Sequence, residues 1–441
     1  MSFVQKSLSV IRNRVFMIIL SLVSGVIVTR MLGPSNRGSF EILMLYPALI
    51  VAFGNLGIGN ANLYFIAKKR YSVEKIVGNS LSLTFMLGGV LFAFTLALAY
   101  LTADFMFEEI PFYYCLLAFA AIPMLLFQRL TGYIFLGKEM IHLRNRLSIF
   151  PAIAIFFLNI LLVVILKMSV LGAVISQLLS GILTFILGFY LLQKISRPRL
   201  TFDYNLLIES VKYGIVPFLA LVIINLNFKM DIFLIKYFLD NTQVGYYSLG
   251  VSLAEKIWLV PEAFSLVLFS RVSNIEEREA DILTPKVCRI TLLFSIAVSL
   301  FLLATGNFII PFIYGKEFKP SVVPLFLLLP GVVAMTLYLL IHSDLTGRGK
   351  AAITLKIFSA ALFLNLVLNI ILIPRAGING AALASTISYT LGALSLSYIF
   401  SREIHVSLKD IFIPRRSDYR DYLFPLFAKS KSFCLALISR K

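Results

Sequence analysis

Long uncharged stretches are the feature that most limits what this chain can fold into. Of its 441 residues, 59% are apolar and only 14% are charged, and most of the charges fall in short intervals between apolar runs. A helix needs about 20 apolar residues to cross about 30 Å of hydrocarbon. We therefore interpret each run of about 18 or more largely uncharged residues as a membrane-spanning helix. The pattern predicts an all-α, multi-pass membrane protein.

About twelve such spans can be assigned, and the connections between them are short. They are 15–32, 39–66, 79–101, 110–136, 147–166, 170–193, 211–238, 244–270, 286–314, 321–345, 352–373 and 378–400. No interval between the spans has the length of an extramembrane domain.

The basic residues indicate how the spans are oriented. If the spans alternate, 29 of the 40 Lys and Arg residues fall in segments on the same side as the N-terminus, and six fall in the opposite loops. Loops rich in Lys and Arg stay in the cytoplasm. We therefore predict that both termini are cytoplasmic. The same loops account for the net charge of +18, and no soluble basic face of the kind that binds nucleic acid is predicted.

The two halves of the chain resemble each other at a shift near 208 residues. Gly38 in Arg37–Phe40 matches Gly245 in Val244–Tyr247, and two further glycine-containing motifs match in the same order. Each half holds six spans, so both halves enter the membrane in the same orientation, as in transporters that alternate access to a central site. The predicted domains are residues 1–200 and 201–401, each a six-helix lobe, and a basic cytoplasmic tail over 402–441.

The second span is interrupted by Pro47, Gly54 and Gly57, and Pro261 falls opposite Gly54 in the second half. Broken helices at corresponding positions indicate either a binding site or gate, or packing kinks.

The seventh span is the richest in polar residues. Asn225 and Lys229 share one helical stripe, whereas Asp231 lies on another face. A charge near the bilayer centre is costly and tends to face a cavity or a partner. We predict that Asn225 and Lys229 line a cavity, with a structural ion pair as the alternative for Lys229. Asp231 is predicted either to pair with a neighbouring helix or to bind a cation.

Other charges at membrane depth lie in the eighth span and in the first half. Glu255 and Lys256 are candidates for an ion pair or for coupling to an ion. Arg30 lies at the external end of the first hairpin, and Arg129 lies about two turns from a cytoplasmic end. Asn62 adds an amide near the broken second span. Arg30, Asn62 and Arg129 complete the predicted substrate cavity.

This residue set suits a lipid-linked oligosaccharide as cargo. Arginine and lysine neutralise phosphate oxygens, while amides and aromatic rings meet sugars. The three histidines and three cysteines have no ligand spacing, so neither a metal site nor a cofactor is predicted. A membrane-embedded polysaccharide polymerase or ligase is an alternative, but it would need a sizeable external loop, and every external loop here is short.

Three motifs carry a family resemblance. "TRMLGPSNRGSFEI" (29–42), "NFKMDIFLIKYFLDNTQVGYYSLGVSLAEKIW" (227–258) and "IPRAGINGAALAST" (373–386) resemble the Wzx-type polysaccharide flippases of the multidrug/oligosaccharidyl-lipid/polysaccharide exporter superfamily. The resemblance implies two six-helix lobes around a cationic cavity. Carried onto this chain, the cavity candidates are Arg30, Arg129, Lys229 and Asp231.

The resemblance also implies the cargo and the setting. The cargo would be undecaprenyl-diphosphate-linked units for O-antigen, capsule or exopolysaccharide, moved to the outer face of a bacterial inner membrane. A lipid II flippase and a cation-coupled multidrug antiporter remain alternatives within the same fold. Membrane lipids are expected partners, a proton or sodium ion is left open as the coupling ion, and a polymerase and a chain-length regulator are candidate protein partners.

Overall fold

The protein is all-helical in the part that the structure, a computed structural model, describes. That part is residues 3–415, without the side chains of 3–18, 216, 217, 220, 221 and 270. It contains no strand. Most of the predicted basic tail, residues 416–441, lies outside the described residues. The prediction of an all-α membrane protein is confirmed.

Fifteen α-helices follow one another along the described chain. They are α1 (Phe3–Gly54), α2 (Ile58–Ala67), α3 (Val73–Leu101), α4 (Ala103–Met106), α5 (Phe112–Phe119), α6 (Ile122–Gly137), α7 (Ile141–Asn159), α8 (Ser169–Leu192), α9 (Tyr204–Phe238), α10 (Asn241–Ala254), α11 (Leu259–Val272), α12 (Glu277–Tyr314), α13 (Val322–Gly347), α14 (Ala351–Glu403) and α15 (Leu408–Phe412). A π-helical turn (Ile160–Ile165) extends α7, and 3₁₀ turns occur at Glu255–Trp258 and Lys316–Ser321.

Every predicted span falls on helix, but the number of crossings is not fixed by the helices alone. Within the described residues, eight stretches are long and apolar enough to cross a membrane, judged by length and composition. Ala351–Glu403 holds two predicted spans, and Ile19–Gly54 holds most of the first span and the first part of the second. The seventh and eighth predicted spans, on α9 to α11, are not among the eight. The count of twelve therefore stays a prediction.

Two long helices are interrupted at glycines with left-handed backbone. Gly33 in α1 has φ 72° and Gly377 in α14 has φ 58°, and neither has helical geometry. Only glycine adopts such angles without a steric penalty. Each glycine lies at the connection between two predicted spans, so α1 and α14 each combine two spans across a kink.

The predicted interruption of the second span is confirmed. Helix α1 ends at Gly54, and α2 begins at Ile58 after Gly57, which has φ 74°. The Asn55 Oδ1 atom accepts a hydrogen bond from the backbone N–H of Gly59 at 3.3 Å and so satisfies a free amide at the start of α2. The corresponding helix of the second half is also interrupted, by the 3₁₀ turn at Glu255–Trp258 between α10 and α11.

The chain divides into two compact units. The first consists of Met1–Ser248 and Ile309–Pro320, and the second of Leu249–Phe308 and Ser321–Lys441. The boundaries differ from the predicted split after residue 200, because residues 201–248 and 309–320 make their contacts within the first unit. The division into two six-helix lobes remains a prediction.

The core of the first unit is an apolar cluster shared by α2, α3, α6, α7 and α8. Phe65, Phe127 and Phe135 are buried in it together with Leu143 and Leu191. Between membrane-spanning helices such side chains stabilise the fold through van der Waals packing, because lipid tails are as apolar as the side chains themselves. This packing fixes how α6 and α7 face one another.

The second unit is held together by close contacts of α13 with α11 and α14, and by polar bonds inside the α14 hairpin. The Trp258 Nε1–H donates to the backbone oxygen of Val332 at 2.9 Å. The amide of Asn365 donates to Ser385 and Ser388 across the hairpin, each at 3.3 Å. In hydrocarbon, such bonds between buried helices contribute to helix association.

Candidate functional site

A cavity of about 550 Å³ lies in the first unit between α1, α6, α7 and α9. Its volume is within the usual range for small-molecule sites. It is lined by Ala48, Val51, Leu125, Gln128, Arg129, Gly132, Tyr133, Leu136, Arg144, Leu147, Ser148 and Asn225. We call it the α6–α7 cavity.

The charge of the α6–α7 cavity is positive. Arg129 and Arg144 both line it with exposed side chains, and no Asp or Glu is among its lining residues. The Arg129 Nη1 donates to the backbone oxygen of Val51 at 3.4 Å, while Arg144 has no side-chain partner in the described part of the chain. Two guanidinium groups without a facing carboxylate can bind an anion such as a phosphate.

Arg129 is bound to the end of α1, next to the break between α1 and α2. Val51 lies in the last turn of α1, just before the break, and its carbonyl accepts both the Asn55 N–H at 3.2 Å and Arg129. A carbonyl oxygen has two lone pairs, so the Val51 oxygen can accept the Arg129 guanidinium beside its helical N–H. This bond ties Arg129 of α6 to the end of α1.

Uncharged polar groups complete the lining. Gln128 donates through Nε2 to the backbone oxygen of Leu147 at 3.2 Å, which ties α6 to α7. Its carbonyl oxygen, the Tyr133 phenol, the Ser148 hydroxyl and the Asn225 amide are further hydrogen-bonding groups of the lining. Such groups match sugar hydroxyls, and the tyrosine ring offers a face for a sugar ring.

The structure brings two of the predicted cavity residues together. Arg129 from α6 and Asn225 from α9 line the same cavity, although 96 positions separate them. Lys229, one turn further along α9, is half-buried and is not among the lining residues. Asp231 is buried, and its Oδ2 accepts the Tyr247 hydroxyl of α10 at 2.6 Å.

The other predicted residues lie elsewhere. Asn62 is buried and donates to the Ser80 hydroxyl at 2.9 Å, so it joins α2 to α3 and does not line the cavity. Arg30 is exposed, and its Nη1 is 3.5 Å from the backbone oxygen of Ile313. Glu255 and Lys256 belong to the 3₁₀ turn of the second unit, where Glu255 is half-buried and Lys256 is exposed.

Sequence reasoning missed Arg144, Gln128, Tyr133 and Ser148. Arg144 falls in the connection between the predicted spans 110–136 and 147–166, but the structure places it in the first turn of α7, where it lines the cavity. The one available signal was its spacing from Ser148, because residues four apart share a helical face.

A second polar cluster surrounds the kink of α1. Arg37 is buried and donates to the hydroxyls of Thr29 and Ser248 and to the carboxylate of Glu41, the last at 3.0 Å. Asn241 donates to Ser39 at 3.0 Å. A buried guanidinium is stable only when its donors are satisfied. We call these residues, with Gly38 and Gly245, the α1–α10 cluster.

In the described residues, no group of three or more His, Cys, Asp or Glu side chains is placed to hold a metal ion. The described cysteines Cys115 and Cys288 are buried and unpaired.

Residues 3–273 match the family of polysaccharide biosynthesis proteins. The chain belongs to this family. The match includes α6, α7 and α9 around the cavity and the first two of the three motifs, and it confirms the family resemblance.

Two relatives illustrate the family. The chain is 23% identical over 291 residues to a protein of Shigella flexneri that is provisionally assigned as an O-antigen transporter. This alignment covers 64% of this chain and 68% of that protein. It is 22% identical over 184 residues to a protein provisionally assigned as a low-salt glycan biosynthesis flippase in Haloferax volcanii. The latter match spans 41% of this chain and only 39% of that relative.

Solved structures support the fold. A lipid II flippase in an inward closed conformation aligns with TM-score 0.75 and 18% identity, over 92% of this chain and 89% of that one. An inward-facing multidrug resistance transporter of the MOP superfamily aligns with TM-score 0.74 and 16% identity, over 89% of this chain and 95% of that one. At this identity the likeness establishes the fold and not the substrate.

Proposed function

We propose that the protein is a flippase that moves a lipid-linked oligosaccharide diphosphate across the membrane. The observation that carries this proposal is the α6–α7 cavity, in which Arg129 and Arg144 stand without a facing carboxylate. Family membership and relatives assigned as a glycan flippase and an O-antigen transporter support the same role.

The charge of the cargo explains the arginines. A diphosphate carries negative charge that hydrocarbon cannot solvate, so an unassisted crossing is prohibitive. Guanidinium groups offer planar, paired donors that match phosphate oxygens. Arg129 and Arg144 would bind the diphosphate, and the amide, hydroxyl and phenol groups of the lining would contact the first sugars. The lipid tail would remain in the bilayer.

Transport would proceed by alternating access. The internal repeat predicts two bundles that rock against one another and expose a central site to each side in turn. We further propose the finer points of this setting: a bacterial inner membrane, both termini cytoplasmic, undecaprenyl diphosphate as the lipid, and a polysaccharide polymerase and chain-length regulator as partners. The coupling ion, a proton or sodium, remains open.

The charge of the cavity separates this proposal from drug antiport. A site for cationic drugs needs carboxylates and aromatic rings, whereas the α6–α7 cavity has two arginines and no carboxylate among its described lining residues. A lipid II flippase would need the same diphosphate chemistry, so the identity of the sugar decides between these two cargoes.

The test compares two arginines on one helix. Arg144 lines the cavity, and Arg146 is exposed, is not among the lining residues and points about 200° away on α7. Arg144→Gln and Arg129→Gln are introduced in a strain that depends on this gene, with Arg146→Gln as the matched control. Surface polysaccharide and lipid-linked oligosaccharide retained on the cytoplasmic face are measured at equal protein levels.

We expect each cavity variant to lower flipping about 10- to 100-fold, as for loss of a hydrogen bond to a charged group, while Arg146→Gln is close to wild type. Arg129→Lys should retain part of the activity because it keeps the charge. Normal surface polysaccharide in both cavity variants would overturn the proposal.

A further inference from the structure

The segment that connects the two halves of the chain, residues 193–204, is fixed along one side. The backbone N–H of Thr201 donates to the Gly78 oxygen at 3.4 Å, and the N–H of Asp203 donates to the Asn79 side chain at 3.0 Å. The Asp203 carboxylate also pairs with Lys75 at 2.6 Å. The connecting segment therefore lies on the N-terminal part of α3 and has a defined outer side.

The contact with α3 is tight. A Cβ atom at Gly78 would lie 2.0 Å from the Thr201 hydroxyl and 2.8 Å from the backbone oxygen of Arg199. Only glycine leaves room for the extended chain at this point. The orientation of the segment is thus determined by packing.

The outer side of the segment is apolar. Leu200, Phe202 and Tyr204 are exposed by 67%, 47% and 65%. Leu200 and Phe202 lie in extended chain, where residues two apart point to the same side, and Tyr204 begins α9 directly after them. Three large, mostly apolar side chains are therefore exposed next to one another. Contact with water would not favour such an exposed patch.

Basic residues border this apolar surface. Arg197 and Arg199 are exposed and make no hydrogen bond or ion pair with any described residue. They line a cavity of about 830 Å³ together with Ser196, whose buried hydroxyl also has no hydrogen-bond partner in the described part. Glu74 and Asp203 also line it, but Asp203 is neutralised by Lys75, so the cavity keeps an excess of positive charge.

The location is the edge of the membrane. The span Ser169–Leu192 ends immediately before the segment. In its last turn Tyr190 is 56% exposed, and the Lys194 ammonium lies 5.0 Å from the Tyr190 ring centre. Aromatic and basic residues concentrate at the boundary between lipid tails and headgroups.

We propose that this segment binds the headgroups of anionic phospholipids. Arg197, Arg199 and the Ser196 hydroxyl contact the lipid phosphate, while Leu200, Phe202 and Tyr204 enter the outer part of the acyl layer. Basic pockets between spanning helices are suited to such headgroups. Binding holds the connection between the halves against the membrane surface, and it does not depend on which cargo the protein moves.

The features of the surface favour lipid over a soluble partner. A protein partner would cover an apolar patch away from the membrane edge, whereas here the apolar residues continue directly from a spanning helix. The phosphate chemistry is shared with free diphosphate and with a lipid-linked cargo, so the experiment contains an arm for each source.

The experiment titrates purified full-length protein in detergent with phosphatidylglycerol or phosphatidylcholine and measures bound lipid by native mass spectrometry. Wild type is compared with R197Q/R199Q, with the charge-conserving R197K/R199K, and with K138Q/R146Q, a control that removes two exposed charges from another connection. R129Q tests the cavity arginine separately. A further arm adds inorganic pyrophosphate in place of phosphatidylglycerol.

We expect wild type to prefer phosphatidylglycerol and R197Q/R199Q to bind it about 30-fold more weakly, since each basic residue at an anionic surface contributes about fivefold. R197K/R199K, the control and R129Q should keep the preference. Equal phosphatidylglycerol binding by wild type and R197Q/R199Q would overturn the proposal. The proposal would also be overturned if wild type showed no preference for phosphatidylglycerol but bound pyrophosphate, and if that binding required Arg197 and Arg199. If R129Q binds phosphatidylglycerol like wild type but does not transport, the result bears on the role of the α6–α7 cavity and not on the lipid site.

Discussion

Gly38 and Gly245 lie backbone against backbone, although 207 positions separate them in the chain. A Cβ atom at Gly38 would be 1.7 Å from the Asn241 oxygen, and one at Gly245 would be 2.0 Å from the Pro34 oxygen. These two glycines match one another in the internal repeat. Repeat-related positions on α1 and α10 therefore meet in one crossing, which the buried Arg37 bonds reinforce.

This crossing predicts that Gly38→Ala and Gly245→Ala destabilise the protein. The added methyl group must displace backbone and not a flexible side chain, so each change should cost about 1–3 kcal/mol or more. Thermal unfolding of purified protein measures the effect. Gly89→Ala is the control, because a Cβ there meets nothing within 4 Å. Equal melting temperatures for all three variants would contradict the close approach.

Two substitutions of Gly132, one small and one large, should have different effects. Gly132 lines the α6–α7 cavity, and a Cβ there meets nothing within 4 Å. Gly132→Ala should leave stability unchanged or raise it, because alanine favours a helix by about 1 kcal/mol over glycine. Gly132→Phe should fold but lower transport strongly, because the ring occupies the cavity.

Surface polysaccharide and melting temperature, measured side by side, separate the two effects. If Gly132→Phe transported normally at a normal level, the cavity would not be on the path of the cargo.

The bond between Tyr247 and Asp231 predicts a loss of stability on removal of the hydroxyl. Both side chains are buried, and the hydrogen bond is 2.6 Å long. Tyr247→Phe should lower the free energy of unfolding by about 1–3 kcal/mol, because a buried carboxylate loses a donor. A double-mutant cycle with Asp231→Asn measures the coupling, and a coupling energy of zero would show that the bond contributes nothing.

The Asp203–Lys75 pair predicts a pH-dependent contribution to stability. The hydrogen bond from Lys75 and the backbone N–H of Leu206 lower the pKa of the Asp203 carboxyl below its ordinary value. A lowered pKa in the folded protein means that the stabilisation is present above the ordinary value, about 3.9, and is lost as pH falls through the folded value.

Asp203→Asn keeps an N-cap for α9 but removes the charge. We expect its melting temperature to fall below that of wild type between pH 5 and 8. The difference should shrink as pH falls below about 4 and vanish only below the lowered pKa that the carboxyl has in the folded protein. A difference that is independent of pH would show that the charge is not responsible.

Much of the architecture follows from the sequence alone. Apolar runs determine where helices form, because burial of backbone in lipid demands internal hydrogen bonds regardless of the neighbours. Gly54 and Gly57 marked the broken second span, and the spacing of Gly38 and Gly245 marked the repeat. The sequence also identified Arg129 and Asn225 as candidates for one cavity, because charge and amide groups at membrane depth need a polar environment.

Only the tertiary structure decided which polar residues share that cavity. Asn62 and Asn225 look alike in sequence, yet the bend between α1 and α2 turns Asn62 towards Ser80, while α9 carries Asn225 to the lining. Arg144 falls between two predicted spans, whereas the structure places it in the first turn of α7, where it lines the cavity. Hydropathy is a property of each segment by itself, whereas the lining of a cavity depends on how bent helices rotate and pack against one another.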